Sequence, residues 1–345
     1  MKNMKQEVMT APGKIEFRDI PIPELEENDV LIKMMRIGVC GSDIHVYHGK
    51  HPYTDYPITQ GHEVSGKIEK IGSNVKNLKT GDKVTILPQE VCNQCYPCTH
   101  GRNHICDDLK VMGFQTTGAG SEFFAIDAEK VIKLPVNMTY EQGAMIEPCA
   151  VAVHAVLRGG DISGFNILVL GAGPIGNLVG QAAKALGAKA VMITDLSDFR
   201  LGIAKEVGID FTINPTKQTL SEEIVDAFGP DKADLIIECV GTKETIDAAI
   251  ENARKGSDII IVGVFGEKPA VNLGFVQDRE LRLIGTLMYQ ADDYIKAIEL
   301  VDNKKIILNS LMTKHFPFED YDRAYKYIDD KKDKVMKVII DVYKE

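Results

Sequence analysis

The sequence predicts a chain of two parts, an all-β, barrel-like region followed by an α/β region built on a parallel sheet. Residues 1–150 contain short strand-like segments that Gly and Pro interrupt often. After residue 150, apolar strand-like segments alternate with helical ones. The chain has 345 residues, more than the roughly 250–300 that one core usually holds, so two domains are expected.

The strand-like segments of the first region are KIEFRDI, VLIKMMRIGV, GKIEKIG and DKVTIL. The second region begins with a helical segment, CAVAVHAVLRGG. It continues with the strands NILVL, AVMIT, ADLIIECV and DIIIVGVF and the helices PIGNLVGQAAKAL, FRLGIAKEV and TKETIDAAIENARK. Because these strands are apolar throughout, they predict a sheet covered on both faces. After residue 286, two amphipathic helices lead to a last strand, VMKVIIDV.

Composition and charge restrict the class of protein. Hydrophobic residues make up 44% and the net charge is −10, without the basic cluster that a nucleic-acid partner would require. The N-terminus has no apolar signal segment, and no run of 18 apolar residues suggests a membrane span. We expect a cytoplasmic protein, in which seven reduced cysteines indicate metal ligands or redox chemistry rather than disulfides.

A glycine-rich turn follows the strand NILVL directly, as Gly171-Ala-Gly173-Pro174-Ile175-Gly176. Between a strand and a helix, this G-x-G-x-x-G pattern is typical of a dinucleotide site. Gly171 makes the tight turn, Gly173 lets the backbone approach a pyrophosphate, and Gly176 lets the helix pack on the strand. The alternative is a glycine-rich turn in an unrelated sheet.

Asp195 ends the next strand and decides between the two nicotinamide cofactors. A carboxylate at this place accepts hydrogen bonds from ribose hydroxyls and repels a 2′-phosphate, so NAD is preferred over NADP. Arg200 lies close in sequence and is the residue that could receive such a phosphate.

A cluster of four cysteines predicts a structural zinc site. The spacing C-x2-C-x2-C-x7-C suits a closed tetrahedral site that performs no chemistry, with an iron–sulfur cluster or free thiols as alternatives. A zinc knuckle for nucleic acid is disfavoured because the chain is acidic. The four residues are Cys92, Cys95, Cys98 and Cys106.

A second set of metal-ligating residues predicts a catalytic zinc with one open position. Cys40 follows the strand VLIKMMRIGV, His62 and Glu63 stand in GHEVSG, and Glu147 stands in an apolar stretch near residue 150. A thiolate, an imidazole and a carboxylate are the donors such a site uses. Taken alone, His62 would more often be a packed core histidine.

These motifs together resemble the zinc-containing medium-chain dehydrogenases, and most closely their polyol (sorbitol, L-iditol) branch. The resemblance rests on CGSDIH, GHEVSG, the cysteine lobe, IEP, GAGPIG and TDLS, and it covers nearly the whole chain. It implies a GroES-like β-barrel catalytic domain over 1–150 and 287–345, and a Rossmann domain with a doubly wound parallel sheet over 151–286. It also implies a cleft between them and a homo-oligomer, either a dimer or a tetramer.

The resemblance assigns roles to individual residues. Cys40 and His62 are zinc ligands by this resemblance, and Glu63 or Glu147 is the third ligand. Asp43 is the residue that orients His62. Ser42 and His45 become a relay for the alcohol proton. The residues expected around the nicotinamide are Val240, Gly241, Gly263, Val264, Thr286 and Leu287.

The chain departs from the polyol pattern near the sixth strand of the second region. Met288 stands where typical polyol dehydrogenases carry an arginine, whereas the following Tyr289 is retained. Tyr47 and Phe114 are further candidates for the substrate wall. A phosphate would need a basic pocket, for which the nearest residues in sequence are His48, Lys50 and His51, unless they form an exposed loop.

The sequence therefore predicts an enzyme that oxidises a secondary hydroxyl of a polyol or sugar alcohol to the ketone, with NAD and two zinc ions per chain. A small diol or secondary alcohol, a sugar acid, a polyol phosphate and threonine are alternative substrates. A zinc-free reductase of double bonds and a non-enzymatic nucleotide-binding protein are further alternatives. Both would be expected to lack ligands that are intact here.

Overall fold

The computed structural model describes residues 2–343, which form seventeen strands and eleven α-helices. The strands are β1 (Asn3–Ala11), β2 (Lys14–Pro21), β3 (Asp29–Val39), β4 (Glu63–Ile71), β5 (Lys83–Ile86), β6 (Gln89–Glu90), β7 (Lys110–Val111), β8 (Phe123–Asp127), β9 (Val131–Lys133), β10 (Asn166–Leu170), β11 (Ala190–Thr194), β12 (Phe211–Ile213), β13 (Leu235–Glu238), β14 (Asp258–Ile261), β15 (Arg282–Gly285), β16 (Met312–Pro317) and β17 (Lys337–Asp341). The helices are α1 (Gly41–Tyr47), α2 (Tyr96–Thr99), α3 (Tyr140–Ala144), α4 (Ile146–Leu157), α5 (Pro174–Ala185), α6 (Asp198–Glu206), α7 (Leu220–Phe228), α8 (Lys243–Asn252), α9 (Leu273–Asp278), α10 (Ala291–Asp302) and α11 (Tyr321–Lys331).

These elements pack as two compact units. The first comprises Met1–Glu147 and Met312–Glu345, and the second comprises Pro148–Leu311. Each unit has its own apolar core, of which Met34, Ile37 and Ile68 in the first and Leu168 and Ile236 in the second are examples.

The first unit is built around the long strand β3. Its sheet has the order β16-β17-β3-β4-β5-β9, and β8 also pairs with β3. Along one edge, the first half of β3 pairs with β8 and its last residues pair with β17, while β4 runs antiparallel along the other edge. In this register Gly38 faces Glu63, so the end of β3 and the beginning of β4 meet.

The second unit contains a six-stranded sheet of order β12-β11-β10-β13-β14-β15, in which every pair of neighbours is parallel. The strand order reverses direction between β10 and β13, which is where open α/β sheets bind ligands at the carboxyl ends of their strands. The predicted parallel, doubly wound sheet is confirmed.

The structure divides the chain differently from the sequence prediction near the C-terminus. We expected 287–345 to belong with the first region, but 287–311 packs within the second unit. Helix α10 is attached there because His154 Nδ1 on α4 lies 2.7 Å from an Asp293 carboxylate oxygen. Gln181 also exchanges two hydrogen bonds with the backbone of Ile307. Sequence periodicity does not reveal contacts of this kind.

Among the described residues, none of the helices has both the length and the apolar character that crossing a bilayer would require.

Candidate functional site

The register of β3 and β4 brings three potential metal ligands together in the first unit. Cys40 follows β3, His62 precedes β4, and Glu63 is its first residue. One ligand atom from each lies within 4.8 Å of the others. His62 and Glu63 are buried, at 4% and 1% exposure. A side chain at Gly38 would place its Cβ 2.3 Å from a Glu63 carboxylate oxygen, so this approach requires glycine.

Asp43 organises this cluster from α1. One of its carboxylate oxygens accepts a hydrogen bond from the Cys40 backbone N–H at 2.9 Å. The other accepts one from the Gln60 side chain at 3.1 Å and lies 3.5 Å from His62 Nδ1. A ligand histidine usually turns its second nitrogen toward such a carboxylate. The orienting role of Asp43 stays a prediction, for which this geometry is the one required.

The charges around His62 act on its titration. Burial alone lowers the pKa of the imidazole, but Asp43, Cys40 and Glu147 outweigh it and raise the pKa of His62 well above its ordinary value. Because a metal binds the neutral imidazole, loading this site must release a proton.

Glu63 has a partner that the sequence analysis missed. Both of its carboxylate oxygens lie 2.6 Å from the Nζ of Lys337 on β17, which also donates to the Val39 carbonyl at 3.2 Å. The two side chains are only 4% and 1% exposed. A lysine within the apolar strand VMKVIIDV was the available signal, since a buried charge needs a partner.

Glu147, the other candidate for the third ligand, lies in the first turn of α4 and is buried. Its charge raises the pKa values of both His62 and Lys337. The three ligand atoms that cluster within 4.8 Å are nevertheless those of Cys40, His62 and Glu63.

The other residues predicted in the first unit are two polar residues on α1 and two aromatic residues. Ser42 is half-buried on α1, and His45, one turn later, is exposed. Phe114 packs its ring 4.9 Å from that of His62. Tyr47 and Phe114 both belong to the core at 7% exposure, and the Tyr47 ring lies 5.1 Å from that of Tyr325, so packing alone accounts for either aromatic residue.

The four-cysteine cluster forms a compact lobe between β6 and β7. One sulfur from each of Cys92, Cys95, Cys98 and Cys106 lies within 4.8 Å of the others. The Cys106 sulfur is 3.5 Å from that of Cys92 and 3.8 Å from that of Cys95. Zn–S bonds of about 2.3 Å in a tetrahedron place sulfurs roughly 3.8 Å apart. Backbone N–H groups of Gln94 and Cys95 lower the pKa of Cys92 to about 7, which favours the thiolate form that binds metal.

The glycine-rich turn in the second unit has the expected backbone. Gly171 has φ +98°, which favours glycine, and α5 begins at Pro174. A Cβ at Gly176 would lie 1.8 Å from the Gly171 carbonyl oxygen, whereas one at Gly173 would meet no atom within 4 Å. The turn therefore packs tightly at Gly176 and leaves Gly173 open to a ligand.

Asp195 lies beside this turn. Its carboxylate accepts hydrogen bonds of 2.8 Å from the backbone N–H groups of Ala172 and Ser197. The Arg200 guanidinium is 3.9 Å away, and its buried Nε has no hydrogen-bond partner in the described part of the chain. A carboxylate is thus fixed at the end of β11, with a cation next to it.

The remaining residues predicted around the nicotinamide follow the carboxyl ends of β13, β14 and β15. Val240, Val264 and Leu287 are exposed apolar side chains there, Val264 at 78%. Gly263 packs closely against the next loop, since its Cβ would lie 2.1 Å from the Gly241 nitrogen. Thr286 is half-buried, with its hydroxyl oxygen enclosed.

Family models match both parts of the chain. The alcohol dehydrogenase GroES-like domain matches residues 26–136, and the zinc-binding dehydrogenase domain matches residues 174–303. Sorbitol dehydrogenase from Homo sapiens is 36% identical over 92% of this chain and 91% of that protein. The chain belongs to the zinc-containing medium-chain dehydrogenases.

Two further relatives agree with this assignment. Sorbitol dehydrogenase from Bacillus subtilis (strain 168) is 32% identical over 98% of this chain and 97% of that protein. The structure of galactitol-1-phosphate dehydrogenase from Escherichia coli superposes with a TM-score of 0.90 at 30% identity, covering 98% of this chain and 99% of that one. The predicted family, near its polyol branch, is confirmed.

In this dehydrogenase the substrate residues predicted on the second unit differ in accessibility. Met288 is half-buried and has a left-handed backbone, with φ +52°. Tyr289 is fully buried, and its ring lies 5.3 Å from that of Tyr294. Packing within the second unit therefore accounts for Tyr289, and Met288 is the more accessible of the two side chains.

A second residue that the sequence analysis missed shapes the loop after β13. Glu238 is fully buried, and one carboxylate oxygen accepts hydrogen bonds from the N–H groups of Val240 and Gly241 and from the Thr245 hydroxyl. It holds the Val240–Gly241 turn in place. An acidic residue ending an apolar strand was the available signal.

Proposed function

We propose that this dehydrogenase oxidises a secondary hydroxyl of a polyol or sugar alcohol to the ketone, with zinc and NAD as cofactors. One substrate molecule and one NAD⁺ give the ketone, NADH and a proton. The observation that carries the proposal is the buried cluster of Cys40, His62 and Glu63, whose sulfur, nitrogen and oxygen donors suit a catalytic zinc.

The donors fit zinc for a further reason. His62 Nδ1 is buried without a hydrogen bond in the described part of the chain and faces Asp43, which leaves the other ring nitrogen for a metal. Cys40 and His62 hold the ion in this proposal, with Glu63 or Glu147 as the third ligand. Lys337 donates to both oxygens of Glu63, so a zinc bound by Glu63 would share this carboxylate with the lysine.

The chemistry divides between the cofactors and the protein. When bound, zinc supplies Lewis-acid polarisation of the hydroxyl and NAD accepts the hydride. Ser42, half-buried two residues after Cys40, would accept the alcohol proton while giving up its own, and the exposed His45 would release a proton to solvent. Asp195 binds the adenosine ribose, which favours NAD over NADP.

The second metal site has a structural role in this proposal. The cysteine lobe offers four sulfurs and no open position, so a zinc there stabilises the lobe. Two zinc ions per chain are expected, and elemental analysis of the purified protein measures their number. We also propose a homo-oligomer, dimer or tetramer, which light scattering determines.

An absorbance assay for NADH tests the activity. The zinc-loaded protein is assayed with NAD and sorbitol, xylitol, L-iditol, galactitol, galactitol 1-phosphate, aldonates, threonine and 2,3-butanediol. We expect turnover of one or more polyols and its loss in Cys40→Ser, which should still bind NAD and retain one zinc. Wild-type kcat in Cys40→Ser would contradict the assignment of the catalytic site.

A further inference from the structure

Three aromatic rings pack in a row that begins at the candidate ligand His62, with Phe114 tilted by 47° to His62 and stacked on His51; we call this row the stack. The Phe114 ring lies 4.9 Å from the His62 ring, and the His51 ring lies 4.8 Å from Phe114 at an interplanar angle of 19°. The centroids of His51 and His62 are therefore at most about 10 Å apart. His62 is buried and His51 is half-buried, so the stack leads from the metal site toward solvent.

The His51 ring is held in place by its own loop. Its Nδ1 lies 2.7 Å from the Thr54 hydroxyl oxygen. The loop is anchored by the Gln115 side chain, which donates to the Tyr53 carbonyl at 3.2 Å, and by Tyr56, whose hydroxyl donates to the Val46 carbonyl. Within residues 2–343, Nε2 of His51 has no hydrogen-bond partner, so one polar atom of a fixed ring is available.

The neighbouring basic residues lack these features. His48 is exposed, and its Nε2 pairs with Asp329 at 2.9 Å. Lys50 is exposed as well. Of the three residues considered for a phosphate pocket, only His51 takes part in the stack that begins at His62.

The charge state of His51 suits an uncharged ligand group. Burial lowers the pKa of His51 below its usual value, and the neighbouring His45 and His62 lower it further. The ring is therefore neutral at pH 7, and a neutral imidazole nitrogen can donate to or accept from a hydroxyl. A phosphate dianion would instead favour a charged partner.

We propose that His51 is a specificity-determining residue whose Nε2 hydrogen-bonds a hydroxyl of the substrate beyond the reacting carbon. The inference rests on the proposed function and narrows it to neutral, polyhydroxylated chains. A substrate with one hydroxyl has no group to place at His51. A sugar alcohol that extends from the metal site along Phe114 has a further hydroxyl that can reach His51.

The variant His51→Phe tests this inference, because phenylalanine preserves an aromatic ring against Phe114 and removes the nitrogen. The zinc-loaded enzyme is assayed with the best polyol of the panel and with 2-butanol. One neutral hydrogen bond of about 0.5–1.5 kcal/mol corresponds to a roughly 2- to 13-fold loss. We expect kcat/KM to fall by that factor for the polyol, chiefly through KM, and to stay unchanged for 2-butanol.

Two further measurements test whether the effect of His51→Phe comes from a lost hydrogen bond to the substrate. The calorimetric Kd of the polyol, with NADH bound, should rise by the same factor. Thr54→Val, which frees the ring without removing it, should change the polyol to 2-butanol ratio in the same direction by less. The matched control is His48→Phe, a histidine three residues away, which should leave the ratio unchanged.

Two results would overturn the inference. An equal loss on the polyol and on 2-butanol in both variants would show that His51 acts only through the stack. A wild-type preference for a polyol phosphate that His51→Phe abolishes would show that the site binds an anion. If the wild type oxidised no alcohol at all, the proposed function would fail instead.

Discussion

Lys337→Met removes the buried cation that holds Glu63 in the first unit. The Lys337 ammonium lies 2.6 Å from both Glu63 oxygens, and neither side chain exceeds 4% exposure. Removing one partner of a buried ion pair costs about 3–5 kcal/mol, because the remaining charge is uncompensated. At about 2–4 °C per kcal/mol for a unit of this size, Tm should fall by roughly 6–20 °C in the zinc-free protein.

Zinc should reduce this loss. A zinc ion at Cys40 and His62 supplies positive charge next to Glu63, so the zinc-loaded variant should lose clearly less than the zinc-free one. In the zinc-free protein, the double variant Lys337→Met/Glu63→Leu should recover most of the stability, because it leaves no unpaired charge. Differential scanning calorimetry on the wild type, Lys337→Met, Glu63→Leu and the double variant, with and without zinc, measures both effects.

A matched control separates this pair from ordinary surface pairs. Lys326 forms an ion pair with Asp322 on α11, but the two side chains are 62% and 33% exposed. Lys326→Met should therefore leave Tm nearly unchanged. The reasoning would be refuted if Lys337→Met lowered Tm no more than the control does. It would also be refuted if the loss of stability in the double variant equalled the sum of the losses in the two single variants.

Three further predictions concern other parts of the molecule. Burial raises the pKa of Glu7 from 4.5 to about 8, so the unfolded chain loses this proton before the folded chain does and stability falls as pH rises between these values. Glu7→Gln should remove this slope, so the free energy of unfolding of the variant, relative to that of the wild type, should rise by up to about 5 kcal/mol from pH 4.5 to pH 8. Urea denaturation midpoints of the two proteins that change equally between pH 5 and pH 8 would contradict this. Asp195→Ala should raise KM for NAD and reduce the preference for NAD over NADP in kcat/KM by about tenfold or more, and an unchanged ratio would exclude the proposed ribose contact. Cys98→Ser should lower the zinc content from two ions to one and lower Tm while NAD still binds, whereas two retained zinc ions would contradict the structural site.

Local patterns predicted the elements and motifs that depend on neighbouring residues. The strand NILVL, the turn from Gly171 to Gly176 and the cysteine lobe are each encoded within a short segment, and the structure shows all of them. The apolar strands of the second region likewise predicted its parallel sheet, since burial on both faces requires apolar residues throughout.

Features that depend on distant pairing were not predicted. Lys337 meets Glu63 only because β17 lies beside β3, a contact between residues 274 positions apart. The boundary near residue 311 depends on α10 packing against α4, which amphipathic periodicity alone does not specify. Tyr47 and Tyr289 are buried aromatic residues, and the sequence does not distinguish a core ring from one that lines a substrate site.

Transfer of deuterium from substrate to cofactor tests the central claim most directly. The zinc-loaded protein is incubated with NAD and a polyol deuterated at its hydroxyl-bearing carbons, and the cofactor is analysed by mass spectrometry and NMR. We predict NADH that carries one deuterium at the nicotinamide C4, and none when Cys40→Ser replaces the wild type. NADH without deuterium, or equal deuterium transfer in Cys40→Ser, would contradict hydride transfer at this site.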